Sequence, residues 1–231
     1  MRSPSKDGAF ASIISYDQLL SNIGGFSDDN NNLTRRILFL LESDWLYNEN
    51  LLAELRKEII NRYVRASITQ HALCRFLLND IIRYYRTLCV DFEFKTCETD
   101  KSWGDRNIKL AFSRKLMYFS GVLVLAETVQ QTCEKKRSIL NECFSKDPIR
   151  RLTDICGIQA EKALKYYDQF LQALSDESSR ELLQRTTDDR DNHSEEFRNL
   201  KNMGHHFSWE LFNVLNKTYP PSHPIHMCLC I

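Results

Sequence analysis

No apolar run in this sequence is long enough to cross a bilayer. The longest uncharged apolar stretch, Leu116–Ala126, has eleven residues, against about 20 for a membrane helix, and suits a buried helix. The opening residues MRSPSKDGAF lack the apolar centre of a secretory signal, so reduced thiols in a cytoplasmic protein are expected. Net charge is absent too, because 31 basic residues balance 31 acidic ones. A protein that coats nucleic acid is strongly basic, which excludes that class. Only residues 66–130 carry a positive excess, nine basic against seven acidic. There is no internal repeat and no alternating polar–apolar pattern of useful length, which argues against a sheet. P-loop, Gly-x-Ser-x-Gly and His-Glu-x-x-His signatures are all missing.

What is present is helical periodicity, which predicts an all-α, multi-helix bundle. Residues 1–14 read as a linker or disordered start, 15–219 as the helical domain and 220–231 as a disordered tail. Two stretches organise the rest. In Ser67–Glu93, Ser67 and Gln70 have the form of a capping box. Leu73, Phe76, Leu77, Ile81, Tyr84 and Leu88 then recur at three and four residues. In Asp105–Glu127, Leu110, Met117 and Gly121 share one side, and Gly121 suits a close helix crossing. Ser15–Gln18 is a second capping box, with Gly24-Gly25 expected to end its helix. Leu33–Glu42, Asn48–Arg65, a segment capped by Asp147-Pro148, Ile158–Ala173 and Ser194–Tyr219 read as further helices. Asp28-Asp29 and the 188–191 acidic cluster read as solvated loop caps.

A second stripe on the two central segments is polar. Asn79, Arg83 and Arg86 recur on one, and Arg106, Asn107, Lys109 and Arg114 on the other. Guanidinium forks suit phosphate oxygens, so a nucleotide phosphate is one expectation. The alternative is an ionic network with Asp80, Asp91, Glu93 and Asp105. Six cysteines lie singly: Cys74, Cys89, Cys97, Cys133, Cys143 and Cys156. The tail gathers His223, His226, Cys228 and Cys230, which are soft-metal ligands. Cys-x-Cys is a poor zinc spacing and no second knuckle accompanies it. The last four residues also fit a loose prenylation pattern, without the polybasic stretch that would support it.

Two resemblances add to this. Arg198-Asn199 followed by His205 resembles the motif of HEPN-type ribonucleases, helical proteins in which Arg and His act at the RNA phosphate. Seven residues apart, the two share a helix face. The second resemblance rests on three motifs: Arg35–Ser43 (RRILFLLES), Phe76–Thr87 (FLLNDIIRYYRT) with Asp91-Phe92-Glu93, and Arg106–Leu116 (RNIKLAFSRKL). Together they resemble the helical region that follows the catalytic domain in bacterial nucleotidyltransferase-like proteins of the DNA polymerase β superfamily, over roughly residues 8–219. That family's active site is a Gly-Ser turn with an Asp-x-Asp pair holding magnesium and a nucleoside triphosphate. This sequence has no Gly-Ser dipeptide. The resemblance therefore implies an accessory region, with Asn79, Arg83, Arg86, Arg106, Asn107, Lys109 and Arg114 as its polar surface. Magnesium and nucleotide would be bound only with a catalytic domain supplied in cis or in trans. A pure interaction module, oligomeric or docked on a partner but with no membrane, is the third expectation.

Overall fold

The computed structural model describes residues 14–21, 23–98 and 102–229. The linker expected before Ser15, apart from Ile14, lies outside them, as do the Cys97 side chain and Cys230. In chain order the helices are α1 (Tyr16–Leu20), α2 (Asn30–Glu42), α3 (Glu49–Tyr63), α4 (Arg75–Glu98) and α5 (Trp103–Lys109). A π-helical turn, Leu110–Arg114, joins α5 to α6 (Lys115–Ala126). There follow α7 (Cys133–Phe144), α8 (Pro148–Cys156), α9 (Glu161–Ser175), α10 (Glu177–Arg185), α11 (Glu195–Thr218) and α12 (Pro224–Leu229). No strand occurs among the described residues. The chain is an all-α multi-helix bundle.

Local chemistry sets most of the helix starts. The side chains of Ser15, Asp29, Asn48, Ser102, Thr132, Asp147, Asp176 and Ser194 each accept from an amide of the first turn they precede. Each such cap contributes about 1 kcal/mol. Ser15 and Gln18 close a full reciprocal box. The helix it opens stops at Leu20, before the glycines expected to end it.

The bundle is organised around α6. From Leu116 to Ala126 it is buried on nearly every side, with only Tyr118 partly exposed. It packs against α2, α4, α7 and α8. At Gly121 α6 lies close against α2, because a Cβ there would stand 2.9 Å from Leu41 Cδ2. The glycine thus permits the close crossing that its position suggested. The expectation of a single helix over 105–127 is met in outline, but the π turn at 110–114 inserts extra winding. It brings Phe112 fully into the core against Phe170 and Phe207.

Three departures from the sequence expectations have physical causes. First, α4 begins at Arg75 and not at the Ser67 capping box. The Lys136 ammonium donates to the carbonyls of Gln70, at 3.0 Å, Ala72, at 2.8 Å, and Thr128. Carbonyls held that way are withdrawn from an α-helical ladder, so the segment runs as turns. Second, α7 does not show in the sequence because Lys136, on its core face, interrupts the apolar stripe beside Leu140 and Phe144.

Third, the disordered tail expected at 220–231 is corrected by α12. Ile225 and Cys228 are buried in the core, and the His226 ring nitrogen Nε2 lies 3.2 Å from the Tyr219 carbonyl. A pH effect follows at this corner. Burial, and then the neighbouring His226, hold His223 below the usual imidazole range. The neutral ring is therefore favoured in the folded state, while the unfolded chain takes up a proton at about pH 6.5. Stability is present above that value and is lost as pH falls from 6.5 through the depressed folded pKa. Amides of 219–229 should exchange faster at pH 5.5 than intrinsic rates predict, and His223→Gln should remove the excess.

Candidate functional site

The polar stripe on α4, α5 and the π turn is an array of ion pairs. Arg83 Nη1 lies 3.2 Å from Asp80 Oδ1, Arg106 Nη2 3.5 Å from Asp91 Oδ2, and Lys109 Nζ 2.8 Å from Asp105 Oδ2. Arg114 Nη1 reaches Glu42 at 3.1 Å. Arg86 also has a partner, Asn79 is exposed and Asn107 is half-buried. Of the two sequence readings, the ionic network describes the observed geometry. Asp80, Asp91 and Asp105 take part as expected; Glu42, on α2, is a partner that spacing along the chain could not reveal. Arg83, Lys109 and Arg114 are 40–49% exposed. Pairs that wet contribute about 0–1 kcal/mol each.

A different set of cations is buried. Arg36, 0% exposed, sits on α2 and forks onto Asp28, with Nη1–Oδ1 at 3.0 Å and Nη2–Oδ2 at 2.7 Å. Its Nε donates to Tyr63 Oη at 2.7 Å, and that hydroxyl donates to Asp80 Oδ2 at 2.6 Å. Asp28 is thus no solvated cap, which corrects the reading of the acidic loop. The loop returns at Gly24, φ +74°, whose amide donates to Asp28 Oδ2 at 2.7 Å. Burial alone would pull the Arg36 guanidinium down, but the bonds to Asp28 and Tyr63 carry it above its usual value. Burial and then Asp80 push the Tyr63 phenol well up.

Buried Lys136 and Arg151 and half-buried Arg137 have no carboxylate partner among the described residues and are held by backbone carbonyls. Lys136 takes the three carbonyls described above. Arg137 donates twice to Val64 O, at the C-cap of α3, at 3.1 and 2.7 Å. Arg151 donates from Nη2 to Leu41 O, at 2.8 Å, and from Nε to Cys143 O, at 3.1 Å. Those are last-turn carbonyls of α2 and α7. Carbonyls at a helix C-terminus carry partial negative charge, so those of Leu41, Val64 and Cys143 serve Arg151 and Arg137 in place of a carboxylate.

The remaining predicted residues fall on two surfaces. Arg198 and His205 are exposed on α11, and no neighbour among the described residues engages either side chain. The same face carries Trp209 and Phe212, 62% and 51% exposed, with ring centroids 5.5 Å apart. At 100° per residue the four positions lie within about 60° of one another and span about 21 Å. The aromatic pair was not singled out in the sequence. Its signal is that both positions fall off the buried stripe Phe197, Leu200, Phe207, Leu211, Val214. At the C-terminus, His223 Nδ1 accepts from Ile225 N at 3.2 Å, and Cys228 is buried. Among the described residues no three His, Cys, Asp or Glu side chains are placed to hold a metal. The six described cysteines are free thiols.

No family model, curated protein or solved structure matches this chain. The fold and these surfaces are therefore what bears on function. No helix among the described residues is long and apolar enough to cross a membrane.

Proposed function

We propose that this chain is a helical binding module whose contact surface is the outward face of α11. The observation that carries the reading is the exposed Trp209–Phe212 pair on one face with the unengaged Arg198 and His205. Trp and Arg dominate the energetics of protein interfaces, and truncating such a residue typically removes 2 kcal/mol or more, about thirtyfold in affinity. The α4–α5 cations, by contrast, already have carboxylates, which lowers their claim on a nucleotide. The resemblance would make the partner a nucleotidyltransferase catalytic domain, with magnesium and nucleotide bound there.

The test is a photo-crosslinking residue at position 212, with exposed Glu134 on α7 as the control position, in cells that express the chain. Capture of one protein at 212 and none at 134 is expected, and Trp209→Ala should abolish it. Capture of RNA at 212, or equal capture at both positions, would overturn the reading. A nucleotidyltransferase among the captured proteins would support the resemblance, and self-capture an oligomer.

A second reading has one observation in its favour. Arg198 and His205 stand free on the same face, as a metal-independent ribonuclease of the HEPN type would need. It expects RNA cleavage in EDTA that His205→Ala abolishes; inactivity of the wild-type chain on varied RNAs removes it.

A further inference from the structure

We propose that the cavity between the C-terminal ends of α2 and α7 and the start of α8 binds a small phosphate-bearing molecule, held by Arg151 with Arg56 behind it. The site is built from elements other than α11 and does not rest on the reading of that face.

The cavity has a volume of about 400 Å³ and is lined by Leu41–Asp44, Phe144–Pro148, Arg150 and Arg151. That lies within the range of small-molecule pockets, about 300–1,000 Å³. A phosphate group would fill only part of it. Leu41, Phe144 and Pro148 offer apolar wall for an organic remainder, and Ser43 and Ser145 line it as well.

The charges on the wall are nearly all committed. Glu42 pairs with Arg114, and Asp147 accepts from the Arg150 amide at 2.9 Å. Asp44 accepts from the Trp45 amide at 2.8 Å. Lys146 pairs with Glu142 and Asp154, and Arg150 with Asp154. Arg151 is the exception. It is 2% exposed, its guanidinium stacks 5.4 Å from the Phe144 ring centroid, and Nη1 has no partner. Arg56, on α3, is also buried, and its Nε has no partner. Neither arginine has a carboxylate within 4.0 Å among the described residues.

Two buried guanidinium groups thus repel each other, and the carboxylates of Asp44 and Asp147 act on them only from beyond ion-pair distance. Burial, and then Arg56, pull Arg151 down to about 10. Burial lowers Arg56 as well, with Asp44 opposing. The α2 and α7 carbonyls satisfy two of the Arg151 donors but supply only partial charge. A dianionic phosphate supplies the missing counter-charge, and a guanidinium fork matches its geometry. Strain of this kind, which a hydrophobic residue would relieve, is what binding sites retain.

The test is thermal unfolding of the whole chain in inorganic phosphate against chloride at equal ionic strength, with amide-shift mapping. Phosphate should raise the wild-type Tm, with saturable shifts confined to 41–44 and 144–151. Arg56→Met should raise the Tm in chloride, since it removes the repulsion, and should shrink the gain from phosphate. Arg151→Lys, which keeps the charge and one carbonyl contact, should weaken phosphate about tenfold, the order of one lost charge-assisted bond. Glycerol phosphate should bind at least as tightly as phosphate. Equal phosphate response in wild type and Arg56→Met, shifts scattered over the surface, or no response would overturn the proposal. An ester bound much more weakly than the free anion would overturn the small-molecule assignment.

Discussion

Asp28→Ala should lower the unfolding free energy by about 3–5 kcal/mol, the cost of leaving a buried charge without its partner. Arg36 is fully enclosed, and Asp28 accepts two of its five N–H donors. Removing the carboxylate leaves those donors facing a space that alanine does not fill. Asp80 cannot replace it, since it stands 3.4 Å from Arg36 Nη2 and already takes the Tyr63 proton and Arg83. Five pieces of the chain meet at this network. They are Leu19 at the end of α1, the 24–28 turn, α2, α3 through Tyr63, and α4 through Asp80. The loss should therefore be global rather than local. Urea unfolding reads it as a lower midpoint at an unchanged slope. The double change Asp28→Leu with Arg36→Met removes both charges and should be less damaging than Asp28→Ala alone. A single variant within about 0.5 kcal/mol of wild type, the range of ordinary surface substitutions, would mean that water reaches the guanidinium and that the network is not closed.

The second large effect is expected at Lys136. Lys136→Met keeps much of the side-chain volume and removes the ammonium that binds the Gln70, Ala72 and Thr128 carbonyls. Each buried acceptor left without a donor costs about 1–3 kcal/mol, so a total loss of about 3–5 kcal/mol is expected after partial relaxation. The damage should begin locally. Residues 65–74 and 127–130 hold few regular backbone bonds, and the ammonium ties them together beside one further bond, from the Cys74 amide to Thr128 Oγ1 at 3.4 Å. Hydrogen exchange should accelerate there before the midpoint shift accounts for it. Burial also pulls the Lys136 ammonium below its usual value, so the charge is kept at a cost that the three carbonyls offset. A variant with wild-type exchange in 65–74 would show that the turn stands by its own sequence.

These two sites also mark how far the chain could be read in one dimension. The helical class was legible because its causes are local: apolar residues at three- and four-residue spacing, and cap residues one turn before them. Ser15, Asn48, Asp147 and Ser194 cap as their positions suggest. The Ser67 box is as good a local signal, yet no helix starts there. Its carbonyls are claimed by a lysine 66 positions along the chain. A helix was overlooked at 133–144 for the converse reason, since that same lysine stands where an apolar residue would have announced it.

The surfaces followed the same division. The cationic stripe on α4 and α5 could be seen, as could the carboxylates near it in sequence. That Arg114 meets Glu42, 72 positions away, could not. Trp209 and Phe212 were visible as residues but not as exposed ones. On a wheel they lie outside the buried stripe, but only the packing of α9 and the π turn against the other side of α11 leaves them in water.

By itself the sequence determined that the chain is helical, where most helices begin, and which residues carry charge. Tertiary structure alone decided what the buried charges face. Helix formation depends on neighbours within one or two turns, so it is written locally. Asp80 reaches Arg36 from 44 positions away and the Leu41 carbonyl reaches Arg151 from 110, and only the packed bundle brings them within hydrogen-bonding reach.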